Sequence, residues 1–315
     1  MRLFTIRFTI LALASAFIWV SPATGQLVPG TGVKLTKVGD DFEDAEWAFK
    51  FNLPKSSKNI NEYGGGSGGR SKNGRWYEGV KRGQPDVIKR VPTPANGPAG
   101  SEGALLLRSL YTGIPGRPTF KLQQDDYIAD VNYRLGGSMS VSKSPSVVVR
   151  VFLPPIEEWE NRTGPSFAFR LALLTTARKT KGTGFFARSS NDAETYWPGF
   201  FIEFESETDR NRDQDSAYLR IRANSRGGDY RGPVISQTGW WTFGMSCTPD
   251  GRVHYYGKPG LENLTAADHI TSNFPYGYRA ERFKTFFFNV CNGDNGKTWS
   301  TPWIVDNCEV FYVPR

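Results

Sequence analysis

Apolar and polar positions alternate along much of this chain. A period of two belongs to half-buried β-strands, whose successive side chains point to opposite faces. The run Phe200-Phe201-Ile202-Glu203-Phe204-Glu205-Ser206-Glu207 shows the pattern plainly. Ile202, Phe204 and Ser206 take one face, and Glu203, Glu205 and Glu207 the other. The same reading predicts strands over 104–110, 146–153, 166–176, 199–207, 217–224, 240–248, 252–256, 282–291 and 308–313. Long helical periodicity is absent. Short helical turns are expected at 154–159 and 264–270, the second with Thr265 as N-cap and Asp268 three residues on.

One hairpin is predicted in detail. Thr248-Pro249-Asp250-Gly251-Arg252 suits a type I turn with Pro first and Gly in the left-handed position, followed by a bulge. A three-residue loop pairs Thr248 with Arg252, and hence Cys247 with Val253, Ser246 with His254 and Met245 with Tyr255. Trp241, Phe243, Met245, Cys247, Val253 and Tyr255 then form the core face. Trp240, Thr242, Gly244, Ser246, His254 and Tyr256 form the other.

The acidic strand has a natural neighbour. Ala217-Tyr218-Leu219-Arg220-Ile221-Arg222 alternates too. An in-phase hairpin through 208–216 places Glu207 opposite Tyr218, Glu205 opposite Arg220 and Glu203 opposite Arg222. Such cross-strand charge pairs contribute roughly 0.2–1 kcal/mol each and favour the ionised carboxylate.

Composition supports strands joined by turns. Aromatics are 14% of the 315 residues, with 34 Gly and 20 Pro. Residues 53–100 are loop-rich, with a Gly64–Gly69 run and a Pro92–Pro98 stretch, and suit a rim or lid beside a binding face. The N-terminus reads as a signal peptide: Arg2 and Arg7, an apolar run from Phe8 to Val20, then small residues before Gln26. That run is shorter than a membrane span, and no other segment is apolar enough to cross. The expected organisation is a signal peptide at 1–25, a leader at 26–35 and one domain at 36–315. The mature chain would begin near Gln26 and be secreted or periplasmic.

The formal charge of +8 is scattered, densest from Arg70 to Arg90. No nucleic-acid motif frames those residues, so a nucleic-acid partner is not expected. Cys247, Cys291 and Cys308 are too few and too far apart for a zinc cluster. Cys291–Cys308 or Cys247–Cys308 pairing and buried free thiols all remain open.

Gly239 to Tyr256, with its Trp pair and Pro-Asp-Gly turn, resembles the penultimate hairpin of concanavalin A-like lectin/glucanase domains. Trp303 to Tyr312 resembles their closing strand and Asp40-Asp41-Phe42-Glu43 the opening one. The resemblance implies an all-β, two-sheet antiparallel jelly-roll sandwich whose closing strand returns beside the first, with one sheet concave and able to hold a glycan. Members of that superfamily range from lectins and laminin G-like binders to glycoside hydrolases. In its glucanase branch an acidic strand supplies the catalytic set. Carried over, Glu203 would be the nucleophile, Glu205 would stand in the assisting position and Glu207 would be the acid/base. Retaining hydrolysis needs two carboxyls about 5–5.5 Å apart.

The leading expectation is an exported, non-catalytic domain that binds a polysaccharide or glycan. Its candidate contacts are Trp197, Trp240, His254 and Tyr256, because sugar C–H faces pack on aromatic rings. The alternatives are a glycoside hydrolase using Glu203, Glu205 and Glu207, and a structural or adhesion domain without a small ligand. No cofactor is expected beyond a structural Ca²⁺ at acids such as Asp40–Asp44, Asp125-Asp126 or Asp306.

Overall fold

The structure, a computed structural model, describes residues 27–181 and 188–314, without the side chains of 179–189. The expected signal peptide lies outside the described residues. In chain order the first strands are β1 (Val33–Lys34), β2 (Phe49–Lys50), β3 (Arg70–Ser71), β4 (Trp76–Glu78), β5 (Val87–Pro92), β6 (Gly103–Arg108) and β7 (Gln123–Ala129). Then come β8 (Met139–Ser140), β9 (Ser146–Leu153), β10 (Gly164–Lys181), β11 (Arg188–Tyr196), β12 (Gly199–Glu205) and β13 (Ser216–Arg222). The last are β14 (Tyr230–Val234), β15 (Gly239–Cys247), β16 (Val253–Pro259), β17 (His269–Asn273), β18 (Arg282–Asn292) and β19 (Trp303–Tyr312).

They form two antiparallel sheets. The smaller runs β17-β16-β15-β9-β19-β6-β5, with β1 against β19. The larger runs β14-β13-β12-β10-β18-β7-β4-β3-β2, with β11 on β10 and β8 on β18. Inward residues of both, such as Val149, Trp241 and Val305 against Phe169, Ile202 and Phe288, share one apolar core. This is the two-sheet jelly-roll sandwich the sequence implied. β19 lies between β9 and β6, with β1 alongside, and Asp40 bridges to Cys308, so the closing strand does return beside the opening segment. Among the described residues no helix is long and apolar enough to cross a membrane.

The predicted hairpin is present in the predicted register. Gly251 N–H donates to Thr248 O at 2.8 Å and Thr248 N–H to Arg252 O at 3.0 Å, with Gly251 at φ +84°. Cys247 faces Val253, Ser246 faces His254 and Met245 faces Tyr255.

Strands β11, β14 and β17 were not expected, β17 beginning inside the helical turn expected at 264–270, and three further differences bear on the site. The β12–β13 register is displaced: Glu203 faces Tyr218, Glu205 faces Ser216, and Arg220 and Arg222 face Phe201 and Gly199. The chain turns directly after Glu205, so the strands pair four residues away from the expected register with the face parity kept. Second, the loop-rich 53–100 segment contributes β3 and β4 to the larger sheet and β5 to the smaller. Third, β7, absent from the sequence reading, lies between β18 and β4. Its Gln-Gln-Asp-Asp start hides the alternation because inward Asp125 is an ion-pair partner. Lys55, only 3% exposed, reaches Asp125 at 2.6 Å and Asp86 at 2.8 Å. Burial opposes the ammonium charge, but the two carboxylates outweigh it and raise the Lys55 pKa. The three thiols are free and buried: Cys247 and Cys308 lie in the core between the sheets, whereas Cys291 packs elsewhere with Ala168 and Phe201.

Candidate functional site

The acidic strand divides its three glutamates among different surroundings. Glu203 ion-pairs Arg220 at 3.1 Å, in place of the expected Arg222. Burial raises its pKa, against the opposing pull of Arg220 and Arg162. Glu205 receives both Arg231 Nη atoms at 2.9 and 3.0 Å and Arg212 at 2.9 Å. The Arg231 hydrogen bonds lead in lowering its pKa to about 2. Glu207 lies beyond the strand, exposed, with its N–H on Asp215. The expected ion pairing is real in kind, but its partners differ, and Glu207 does not share the strand face with Glu203.

The four expected aromatic and histidine contacts are not brought together. Trp240, His254 and Tyr256 stand on the outer face of the smaller sheet and are 6%, 5% and 0% exposed. Val28 and Leu264 pack there with Val148, Tyr256 and Phe311, and Ser246 Oγ donates to Leu27 O at 2.5 Å. A Cβ at Gly244 would lie 2.5 Å from Leu264 and 2.7 Å from Pro29, so only glycine admits the covering segments at that point. Trp240 packs edge-on to Phe152. The face that alternation marked as outward is therefore roofed by the chain itself. Trp197 lies in the β11–β12 connection of the larger sheet, 40% exposed.

A groove of about 420 Å³ lies beside Trp197, across the outer face of the larger sheet. Its floor comes from β10, β18 and β7, and the segment 77–82 and Asn59 form one wall. Five cations line it: Lys81, Arg82, Arg170, Arg222 and Lys284. The single acid in the lining is Asp126, whose Oδ1 accepts from Asn289 at 2.6 Å and Gln124 at 3.0 Å. Burial raises that carboxyl's pKa.

Arg170 is central to the groove. It is 7% exposed, and its guanidinium lies 5.5 Å from the Phe201 ring and 5.2 Å from the Phe287 ring. It donates to Trp197 O at 2.7 and 3.2 Å and to Asn289 Oδ1 at 3.4 Å. Among the described residues no carboxylate forms a salt bridge with it. Burial, then the nearby Arg222 charge, lowers its pKa to about 10, so it stays cationic at neutral pH. Arg220 and Arg222 also lie 5.5 and 5.9 Å from the Phe201 ring, and Arg222 Nε donates to Tyr276 Oη at 2.8 Å. Lys81 sits 5.6 Å over Trp197. Such an array attracts an anion, and its partly exposed indole offers an apolar platform.

Sequence reasoning missed Arg170. The available signal was one guanidinium at an outward position in the otherwise apolar run Phe167-Ala168-Phe169-Arg170-Leu171-Ala172-Leu173. The acids considered for Ca²⁺ have protein partners: Asp40 Oδ2 accepts from Trp47, Asn73 and Trp76, Asp125 from Lys55 and Asp306 from Ser101. Among the described residues no group of three or more His, Cys, Asp or Glu is placed to hold a metal.

No known family model and no curated protein matches this sequence. Similar folds occur among solved structures. A carbohydrate esterase from the Shiga toxin-encoding bacteriophage phi24B is 10% identical, covering 85% of this chain and 100% of that one, with a TM-score of 0.44. An alginate lyase from Pseudomonas aeruginosa is 7% identical, covering 73% and 87%, at 0.40. Peanut lectin is 12% identical, covering 73% and 99%, at 0.36. At these scores the likenesses carry nothing about ligand or activity, and the sandwich assignment stands on the sheets themselves.

Proposed function

We propose that this chain binds an acidic polysaccharide along the groove of the larger sheet, outside the cytoplasm, in the periplasm or after secretion. The observation that carries this reading is Arg170: a buried guanidinium that forms no salt bridge among the described residues, with Asp126 held instead by Asn289 and Gln124 and with further cations around it. A buried charge is costly unless compensated, and a bound uronate or sulfate group supplies the compensation. Arg groups also recognise such anions through their planar donors. Trp197 then packs against a sugar face at the rim. Arginine pairing of Glu203 and Glu205, with Glu207 outside the strand, favours binding over the hydrolase alternative.

The test is retention of the purified chain on alginate, pectate and heparin against neutral cellulose and dextran. Acidic glycans should retain it and salt should release it. The Arg222→Ala/Lys284→Ala double variant should lose retention by tenfold or more with an unchanged melting temperature. Equal retention on neutral glycans, or an unaffected double variant, would overturn the reading. Measuring sugar release on every retained glycan, with Glu203→Gln and Glu207→Gln beside the wild type, separates a binder from a hydrolase.

A further inference from the structure

The chain contains two histidines, and the fold sets them side by side. His254 on β16 and His269 at the start of edge strand β17 have ring centres 5.7 Å apart. Both stand on the outer face of the smaller sheet, where the β16–β17 register shifts between Tyr255 and Tyr256.

The proton positions follow from the partners. Thr248 Oγ1 donates to Asp250 Oδ1 at 2.6 Å, because an ionised carboxylate can only accept. That hydroxyl lies 3.1 Å from His254 Nε2 and is left to accept there. His254 therefore carries its proton on Nε2, and Nδ1 is a bare lone pair. Burial lowers the His269 pKa, opposed by a hydrogen bond to the Thr271 backbone, the sign a bond to a carbonyl gives. Its Nε2 has no partner, which assigns that bond and the proton to Nδ1. His254 Nδ1 and His269 Nε2 are both sealed from solvent without a hydrogen-bond partner. A buried polar atom in that state calls for an occupant.

We propose that His254 Nδ1 and His269 Nε2 bind one divalent transition-metal ion of the class that imidazole prefers, Zn²⁺, Cu²⁺ or Ni²⁺. With metal–nitrogen bonds of about 2.1 Å, the metal lies about 3.2 Å from each ring centre, so two rings sharing it stand about 5–6 Å apart at tetrahedral or wider angles. The observed spacing falls in that range. The opposite nitrogens bond Thr248 and the Thr271 backbone, and such contacts orient ligating imidazoles and fix their tautomers. The ion pins the outermost strand of the smaller sheet to its neighbour.

The untagged chain, stripped with chelator, is titrated calorimetrically with Zn²⁺, and its Cu²⁺ form is examined by electron paramagnetic resonance. One equivalent should bind, Cu²⁺ should show coupling to two imidazole nitrogens, and Ca²⁺ and Mg²⁺ should produce no heat. Zn²⁺ should slow amide exchange in 269–273. His269→Gln, at a half-buried position, should keep its metal-free melting temperature and bind at least tenfold more weakly. His254→Gln should do the same and gives a second measurement where it folds. No binding by the wild type, or binding unchanged in His269→Gln, would overturn the proposal. Either result leaves the glycan groove untouched, because the two sites lie on different sheets.

Discussion

The outer faces of the two sheets begin from the same alternation and end in opposite states. On the smaller sheet, Trp240, His254 and Tyr256 are buried, Tyr256 against Val28 and Leu264, Trp240 against Phe152, and His254 beside Thr248 and His269. On the larger sheet, Arg170, Arg222 and Lys284 border a groove that leaves Trp197 exposed. An outward position in a strand is therefore not the same as a wet one. What separates the faces is the material that returns over them. Apolar residues of the chain cover the first, whereas segment 77–82 brings cations to the edge of the second and leaves it open.

The largest effect should come from the buried ion pair behind the groove wall. Lys55→Met strands Asp125 and Asp86 without their cation, and losing one member of a buried pair costs about 3–5 kcal/mol. Urea unfolding should show that loss, and amide exchange should rise in 77–86 while the covered face stays protected. A variant as stable as wild type would mean that Lys55 does not hold the wall.

A double dissociation tests the contrast directly. Trp240→Ala should cost about 3–5 kcal/mol as a cavity under the roof and leave glycan retention intact in the folded fraction. Trp197→Ala should stay within about 0.5 kcal/mol of wild type and lose retention. The opposite assignment of effects would exchange the roles of the faces.

Titration offers a smaller handle. Asp306 is buried on the smaller-sheet side, and desolvation raises its pKa to about 7, against opposing hydrogen bonds from Ser101 and Asn307. The folded chain thus retains a proton that the unfolded chain releases near pH 4, so this group's contribution falls as pH climbs from about 4 to about 7. Asp306→Asn should flatten that dependence in urea midpoints taken at several pH values. An unaltered slope would assign the dependence elsewhere. Smallest among the charge changes, Glu205→Gln should cost less than about 1 kcal/mol, because its arginine partners are partly solvated. A larger loss would make the strand-end cluster a structural anchor.

Local chemistry was the legible part of this molecule. Thr248-Pro249-Asp250-Gly251 determines its own turn, and that turn determines the β15–β16 register. The 208–216 connection imposes no such length, and the β12–β13 pairing moved by four residues from the expected one. β7 was hidden because Asp125 faces the core, and its acceptability there depends on Lys55, seventy residues earlier. The candidate site was less legible than the fold for the same reason. Arg170, Lys81 and Lys284 come from strands and a loop far apart in sequence, so no local window contains their joint field. Trp197 was recognisable alone, although the partners expected for it lie on the opposite sheet.

The position of β19 has a consequence for how the molecule is made. Residues 303–312 insert between β9 and β6, so a ribosome delivers the middle of the smaller sheet after both of its flanks. Until then β9 and β6 present unpaired edges, the kind that recruit other chains. Nascent chains halted before residue 303 should accordingly depend on holdase chaperones far more than chains carried past residue 312.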